Sequence, residues 1–143
     1  MSSRTAVVTG ANSGLGLAIT KALAADGYSV VMACRNASKA KAAQVEVRGE
    51  NPDANIQVIS LDVSDQQSIA NFVKQCVSAV GTVDLLVNNA GIVAMPLAYN
   101  ASGYEMQFAT NYLGAFALTG LLLPHIHEQG RIVNVGSLAH RFA

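Results

Sequence analysis

The sequence predicts an α/β fold built on a doubly wound parallel sheet, with residues 1–143 forming one domain. Three observations carry that prediction. Short apolar runs alternate with segments of helical periodicity, a pattern that calls for parallel strands joined by right-handed crossovers. The strand-like runs are apolar without alternation, as strands covered on both faces are. The chemically informative loops all follow strands, and open α/β sheets bind ligands at the carboxyl ends of their strands.

Thr5-Ala6-Val7-Val8-Thr9 is the first strand. Thr9-Gly10-Ala11-Asn12-Ser13-Gly14-Leu15-Gly16 follows and opens a helix whose apolar positions are Leu15, Ile19, Ala22 and Leu23. Glycines in such a turn let backbone pass close to a ligand, and the helix N-terminus behind offers N–H groups and positive dipole to a phosphate. The spacing is Gly-x-x-x-Gly-x-Gly, not the Gly-x-Gly-x-x-Gly fingerprint, so the turn alone also reads as a tight strand–helix loop. Asp26-Gly27-Tyr28 ends the helix, Ser29–Cys34 is the second strand and Arg35-Asn36 closes it. The Ala- and Lys-rich segment 37–49 reads as a surface helix, broken by Glu50-Asn51-Pro52-Asp53.

The third strand, 56–61, runs into Asp62-Val63. Ser64-Asp65-Gln66-Gln67 fits a capping box with Ser64 at the cap. Ile69, Phe72, Val73, Cys76, Val77 and Val80 then give the cleanest helical period in the chain, which Gly81 stops. The fourth strand, 83–87, ends in Asn88-Asn89-Ala90-Gly91. Ser102-Gly103-Tyr104-Glu105 fits a second capping box, ahead of a long helix carrying Met106, Leu113, Phe116, Ala117 and Leu121 and bent near Pro124. The fifth strand is 131–135, with Gly136-Ser137 at its carboxyl end.

Zero formal net charge and the lack of a basic stripe exclude nucleic acid and an anionic membrane as partners. Charged residues are 13 %, against about 25 % in an ordinary domain, which suits a buried sheet and leaves little surface charge. Cys34 in a strand and Cys76 on an apolar helix face read as buried free thiols of a reducing compartment. Residues 1–4 leave no room for a signal peptide ahead of the first strand, and no apolar run nears the ~20 residues of a membrane span. The expectation is a cytoplasmic protein. The histidines form no metal-ligand spacing with carboxylates or thiols.

Thr9-Gly10-x-x-x-Gly14-x-Gly16, Leu61-Asp62-Val63, Asn88-Asn89-Ala90-Gly91, Asn111 and Ser137 stand together in an order that resembles the short-chain dehydrogenase/reductase family over essentially the whole chain. Ala33-Cys34-Arg35-Asn36, Gly103-Tyr104-Glu105-Met106, the segment from Asn111 to Phe116 and the segment from Arg131 to Ser137 resemble its retinol dehydrogenase and protochlorophyllide reductase branch. The resemblance implies a Rossmann-like sheet with the five strands in the order 3-2-1-4-5 and with the C-terminal part of the family fold missing. It implies hydride transfer between a nicotinamide and a small hydrophobic carbonyl or alcohol. Gly10, Asn12, Ser13, Gly14, Leu15 and Gly16 would surround the pyrophosphate, and Asp62 with the Val63 backbone would take the adenine. Asn89, Ala90 and Gly91 would line the adenosine ribose, while Asn88 either joins that site or ties neighbouring strands together. Ser137 would hold the substrate carbonyl oxygen, and Asn111 would mark a helix bend that supports a proton-relay water.

Arg35 decides the cofactor. An acidic residue at the end of the second strand would bind a ribose 2′-hydroxyl, whereas a guanidinium clamps a 2′-phosphate; NADP is therefore expected over NAD. The family also needs a tyrosine acid/base with a lysine four residues later. Tyr28, Tyr99, Tyr104 and Tyr112 are followed at that spacing by Met32, Gly103, Phe108 and Phe116, so these residues are expected to be inactive alone. Two other readings stand beside a truncated reductase: a non-catalytic nucleotide-binding module, and an interaction half that needs a complementing chain. An uncovered fifth strand and a bare helix face around Phe116 and Leu121 predict self-association.

Overall fold

The computed structural model describes residues 4–141; residues 1–3 and 142–143 of the expected 1–143 domain lie outside the described residues. Five parallel strands form one sheet in the order β3-β2-β1-β4-β5. They are β1 (Thr5–Thr9), β2 (Ser29–Cys34), β3 (Ile56–Ser60), β4 (Val83–Asn88) and β5 (Ile126–Asn134). The crossovers are α1 (Gly14–Ala25), α2 (Ala37–Glu50), α3 (Gln66–Val80) and a broken segment ending in α5 (Gly114–Leu122).

Alternate strand residues face opposite layers. Val7, Val31, Ile59 and Leu86 pack with Ile69, Phe72 and Cys76 of α3 and with Leu118 and Leu122 of α5. Val8, Val30, Met32, Ile56 and Val87 pack on the other side with Ala24 of α1 and with Ala40, Ala43 and Val47 of α2. Both faces of the central strands are thus covered by apolar side chains, which is why their sequences do not alternate. Lys21 of α1 lies 2.6 Å from carboxylate oxygens of both Glu46 and Glu50 on α2 and joins the two helices at the surface.

Four local expectations are corrected. The cap of α3 is Asp65, whose carboxylate accepts the Gln67 N–H at 2.8 Å. The first helical bond runs from the Ile69 N–H to the Asp65 carbonyl at 3.0 Å, so Ser64 lies one residue ahead of the cap, and its hydroxyl donates to Asp62 Oδ1 at 2.7 Å. The second expected box fails in the same way: Glu105, not Ser102, caps α4 (Met106–Phe108), accepting from the Gln107 and Phe108 N–H groups at 2.9 and 2.8 Å. Those two bonds hold the Glu105 carboxyl below the ordinary carboxylate range.

The long helix is interrupted by a π-helical turn, Ala109–Leu113, and ends just ahead of Pro124 rather than bending there. Pro124 instead sits in a 3₁₀ turn, Leu123–His125, which leads directly into β5. That strand starts at Ile126, ahead of the expected residue 131, and stops at Asn134. Between the Val83–Ile126 and Leu85–Arg131 pairs the register shifts, so His127, Glu128, Gln129 and Gly130 bulge out of the ladder. Only glycine fits at 130, because a Cβ there would lie 2.6 Å from Ile126 Cγ2 and 2.8 Å from the His127 carbonyl oxygen.

Candidate functional site

A cleft of about 610 Å³ opens at the carboxyl ends of β1, β2 and β4. The turn after β1 gives it Gly10, Asn12, Ser13, Leu15 and Gly16. Arg35 comes from the end of β2, Asp62 and Val63 follow β3, and Asn89, Ala90 and Gly91 follow β4. The topology therefore brings together four loops that are distant in sequence.

The glycine turn is shaped by backbone needs. Gly10 has φ +63° and Gly14 φ +52°, both in the left-handed region that disfavours a side chain. Gly16 is required by contact, since a Cβ there would lie 2.2 Å from the Gly10 carbonyl oxygen and 2.5 Å from Asn89 Nδ2. Helix α1 can therefore meet the turn closely. Its N-cap, Ser13, makes no side-chain capping bond, and its first turn has no acidic residue. By contrast, Asn36 caps α2 and Asp65 caps α3. The α1 N-terminus thus faces the cleft with its orphan N–H groups unspent, the arrangement suited to a phosphate.

Thr9 and Asn89 join β1 to the loop after β4. Thr9 Oγ1 accepts from the Asn89 and Ala90 N–H groups at 3.0 and 2.9 Å, and Asn89 Nδ2 donates to the Thr9 carbonyl at 2.9 Å. Asn88 is turned away from the cleft: its Nδ2 donates to Thr119 Oγ1 at 3.0 Å and Asn134 Oδ1 at 2.8 Å, tying β4 to α5 and β5. Of the two alternatives for Asn88, the strand tie is the one observed.

Asp62 accepts the Ser64 N–H through Oδ1 at 2.9 Å, while its Oδ2 lies 3.9 Å from Arg35 Nη1. The Arg35 side chain is 74 % exposed, so this pairing is a loose surface contact that a better anionic partner can displace. Below the turn, Cys34 accepts N–H bonds from Ala11 and Asn12, and burial pushes its thiol pKa up. Burial likewise raises Cys76 to about 11. Both are buried free thiols.

Three expected residues do not line the cleft: Gly14, Asn111 and Ser137. Asn111 sits in the π-helical turn and clamps the backbone of Ile92, accepting its N–H and donating to its carbonyl at 2.8 Å each. It holds the cleft wall from behind. Ser137 is exposed beyond the end of β5. Lys39, Asn36, Met106 and Thr110 do line the cleft and were not expected there. Lys39 had a legible signal, because it lies one helical turn beyond Arg35 on a helix that starts beside the second strand's end.

The family model described as short chain dehydrogenase matches residues 4–143. The chain belongs to the short chain dehydrogenase family. Retinol dehydrogenase 13 of Mus musculus is 40 % identical over 139 residues, covering 96 % of this chain and 42 % of that protein. Short-chain dehydrogenase TIC 32 B, chloroplastic, of Brassica napus is 36 % identical over 145 residues, covering 96 % and 45 %. Among solved structures, the short-chain dehydrogenase/reductase (glucose/ribitol dehydrogenase) of Brucella melitensis superposes with TM-score 0.83 at 29 % identity, over 98 % of this chain and 59 % of that one. YwfH, an NADPH dependent reductase involved in bacilysin biosynthesis, gives TM-score 0.80 at 28 % identity over 96 % and 60 %. The chain spans less than half the length of the curated relatives it matches.

The short-chain dehydrogenase chain thus has the family's nucleotide-binding Rossmann-like sheet and is related to retinol dehydrogenases among other members. Among the described residues, no helix is long and apolar enough to cross a membrane, and no group of three His, Cys, Asp or Glu side chains is placed to hold a metal ion.

Proposed function

We propose that these 143 residues form one NADP-binding domain of a short-chain oxidoreductase acting on a small hydrophobic carbonyl or alcohol, in the retinol dehydrogenase-like branch. The observation that carries the cofactor choice is the pair of cations on the cleft wall, Arg35 and Lys39, where β2 ends without a carboxylate. Together they suit a 2′-phosphate, which carries more negative charge than either cation alone can balance. The residues present fit the rest of the dinucleotide. The open α1 N-terminus and the turn from Gly10 to Gly16 would hold the pyrophosphate, Asp62 and Val63 the adenine, and Asn89, Ala90 and Gly91 its ribose.

The nicotinamide supplies or accepts the hydride when bound. Ser137 would orient the substrate carbonyl through its hydroxyl. Asn111 would support the proton-relay water while its side chain keeps Ile92 in place. The tyrosine and lysine of the family reaction have no counterpart among these 143 residues, and positioned acid–base catalysis is worth about 10²- to 10⁴-fold. The isolated 143-residue chain is therefore expected to show negligible turnover. NADPH oxidation with carbonyl substrates by rigorously pure protein would contradict this. Buried free thiols suit a reducing, cytoplasmic setting.

The test of the cofactor reading is titration of NADP and NAD against the wild type and Arg35→Asp. The wild type should prefer NADP, and the variant, with a clamp replaced by a repelling carboxylate, should shift toward NAD. Unchanged relative affinities would remove Arg35 from the reading. A second reading, an interaction half completed by another polypeptide, is favoured by one observation: β5 is an outer strand whose Val133 is 44 % exposed.

A further inference from the structure

We infer that Gly114 positions the adenine end of the cleft by leaving room for the Val63 backbone; this rests on the dinucleotide reading above. Gly114 is the buried first residue of α5, and its backbone is ordinary helix with φ −65°. No conformational need for glycine exists there, and alanine would favour the helix. The need is spatial. A Cβ at Gly114 would lie 2.0 Å from the Val63 carbonyl oxygen, 2.8 Å from its carbonyl carbon and 3.0 Å from its Cβ. Val63 is a wall of the cleft.

The segment that holds Val63 has little freedom to retreat along its own path. On one side the Asp62 N–H donates to Ser68 Oγ of α3 at 2.9 Å, and Asp62 Oδ1 holds the Ser64 N–H at 2.9 Å. On the other, Asn100 Nδ2 donates to the Ser64 carbonyl at 2.8 Å. The atoms that a methyl group at 114 would strike are mostly backbone, so rotation of a side chain does not relieve the clash. Either Val63 moves into the cleft or α5 withdraws from it, and both change the adenine site. Gly120 of the same helix is the internal control, since a Cβ there would meet nothing within 4 Å.

The probes are adenosine 2′,5′-bisphosphate, which reaches from adenine to the 2′-phosphate, and inorganic pyrophosphate, which needs only the glycine turn. Calorimetric titration of the wild type comes first; if the bisphosphate does not bind, the dinucleotide reading and this inference both fall. With the wild type binding, Gly114→Ala is expected to lose about tenfold or more in bisphosphate affinity, the size of an overpacked backbone contact, and less than about twofold for pyrophosphate. Gly120→Ala should match the wild type for both. A purely structural glycine would lower the melting temperature and leave the two probes in their wild-type ratio, and that result would overturn the assignment. Should Gly114→Ala fail to fold, amide resonances of the wild type decide. Bisphosphate should shift those of Gly114 and Val63 together and leave Gly120 still; an unmoved Gly114 overturns the inference.

Discussion

At Gly16 the first helix comes so close to the turn that a methyl group would stand 2.2 Å from the Gly10 carbonyl oxygen. The obstruction is backbone, so a side chain there cannot be accommodated by a rotamer change. Gly49, inside α2, is the opposite case, with ordinary backbone and nothing within 4 Å of an added Cβ. Gly16→Ala is expected to destabilise the chain by about 1–3 kcal/mol, as overpacking does. Gly49→Ala is expected to stabilise it by about 0.5–1 kcal/mol through helix propensity. Denaturant unfolding of the two variants checks the pair; equal effects would show that glycine at 16 is not held there by contact. The sequence pattern marked Gly16 as part of a turn motif, but a motif does not distinguish a glycine needed for its φ from one needed for its missing Cβ. The former holds at Gly10 and Gly14, the latter at Gly16.

Among the elements, the helix starts show how a shift in the first helical bond changes a cap. Ser64 has the right residue type and spacing, yet the helix begins one residue later, with the Ile69 N–H on the Asp65 carbonyl and the Gln67 N–H on the Asp65 carboxylate. Asp65→Ala should therefore cost about 1 kcal/mol of stability, the usual loss of a helix cap. Ser64→Ala should cost α3 no cap and should remove only the hydroxyl bond to Asp62, whose carboxylate keeps the N–H of residue 64. Chemical denaturation with helix content followed by circular dichroism separates the two; a larger loss in Ser64→Ala would restore Ser64 as the cap. The broken α4–α5 segment carries a related lesson. Proline is the strongest local breaker in sequence, and the bend was expected near Pro124. The interruption found is the π-helical turn Ala109–Leu113, and it coincides with the Asn111 clamp on Ile92, a contact between elements.

For the whole molecule, the sheet order leaves β5 at an edge, and the register leaves one face of it bare. Val133 pairs with Val87, whose side chain belongs to the layer under α1 and α2, but those helices cover the β1–β3 half of the sheet. Val133 and Val135 are consequently 44 % and 38 % exposed. Phe108, Tyr112 and Phe116 add a stacked, solvent-facing aromatic row on the broken helix, with ring centroids 5.4 and 6.4 Å apart. With few charges to oppose contact, the 143-residue chain is expected to self-associate through the β5 edge. Val133→Lys with Val135→Lys should shift sedimentation toward monomer while circular dichroism stays unchanged. A folded wild-type monomer at high concentration would contradict the expectation.

The alternation of strands and helices and the gathering of the informative loops at the strands' carboxyl ends were legible in the residues alone, and the resemblance of their motifs to a family named most of the residues that line the cleft. These depend on periodicity and on short motifs, which are local in the chain and survive any particular packing. The strand boundaries around the Gly130 bulge and the exclusion of Asn88 from the cleft were decided by tertiary structure. So was the contact of Gly114 with Val63. Each turns on which atoms from separate elements compete for the same hydrogen bond or the same few ångströms, and those distances exist only once the sheet has brought the elements together.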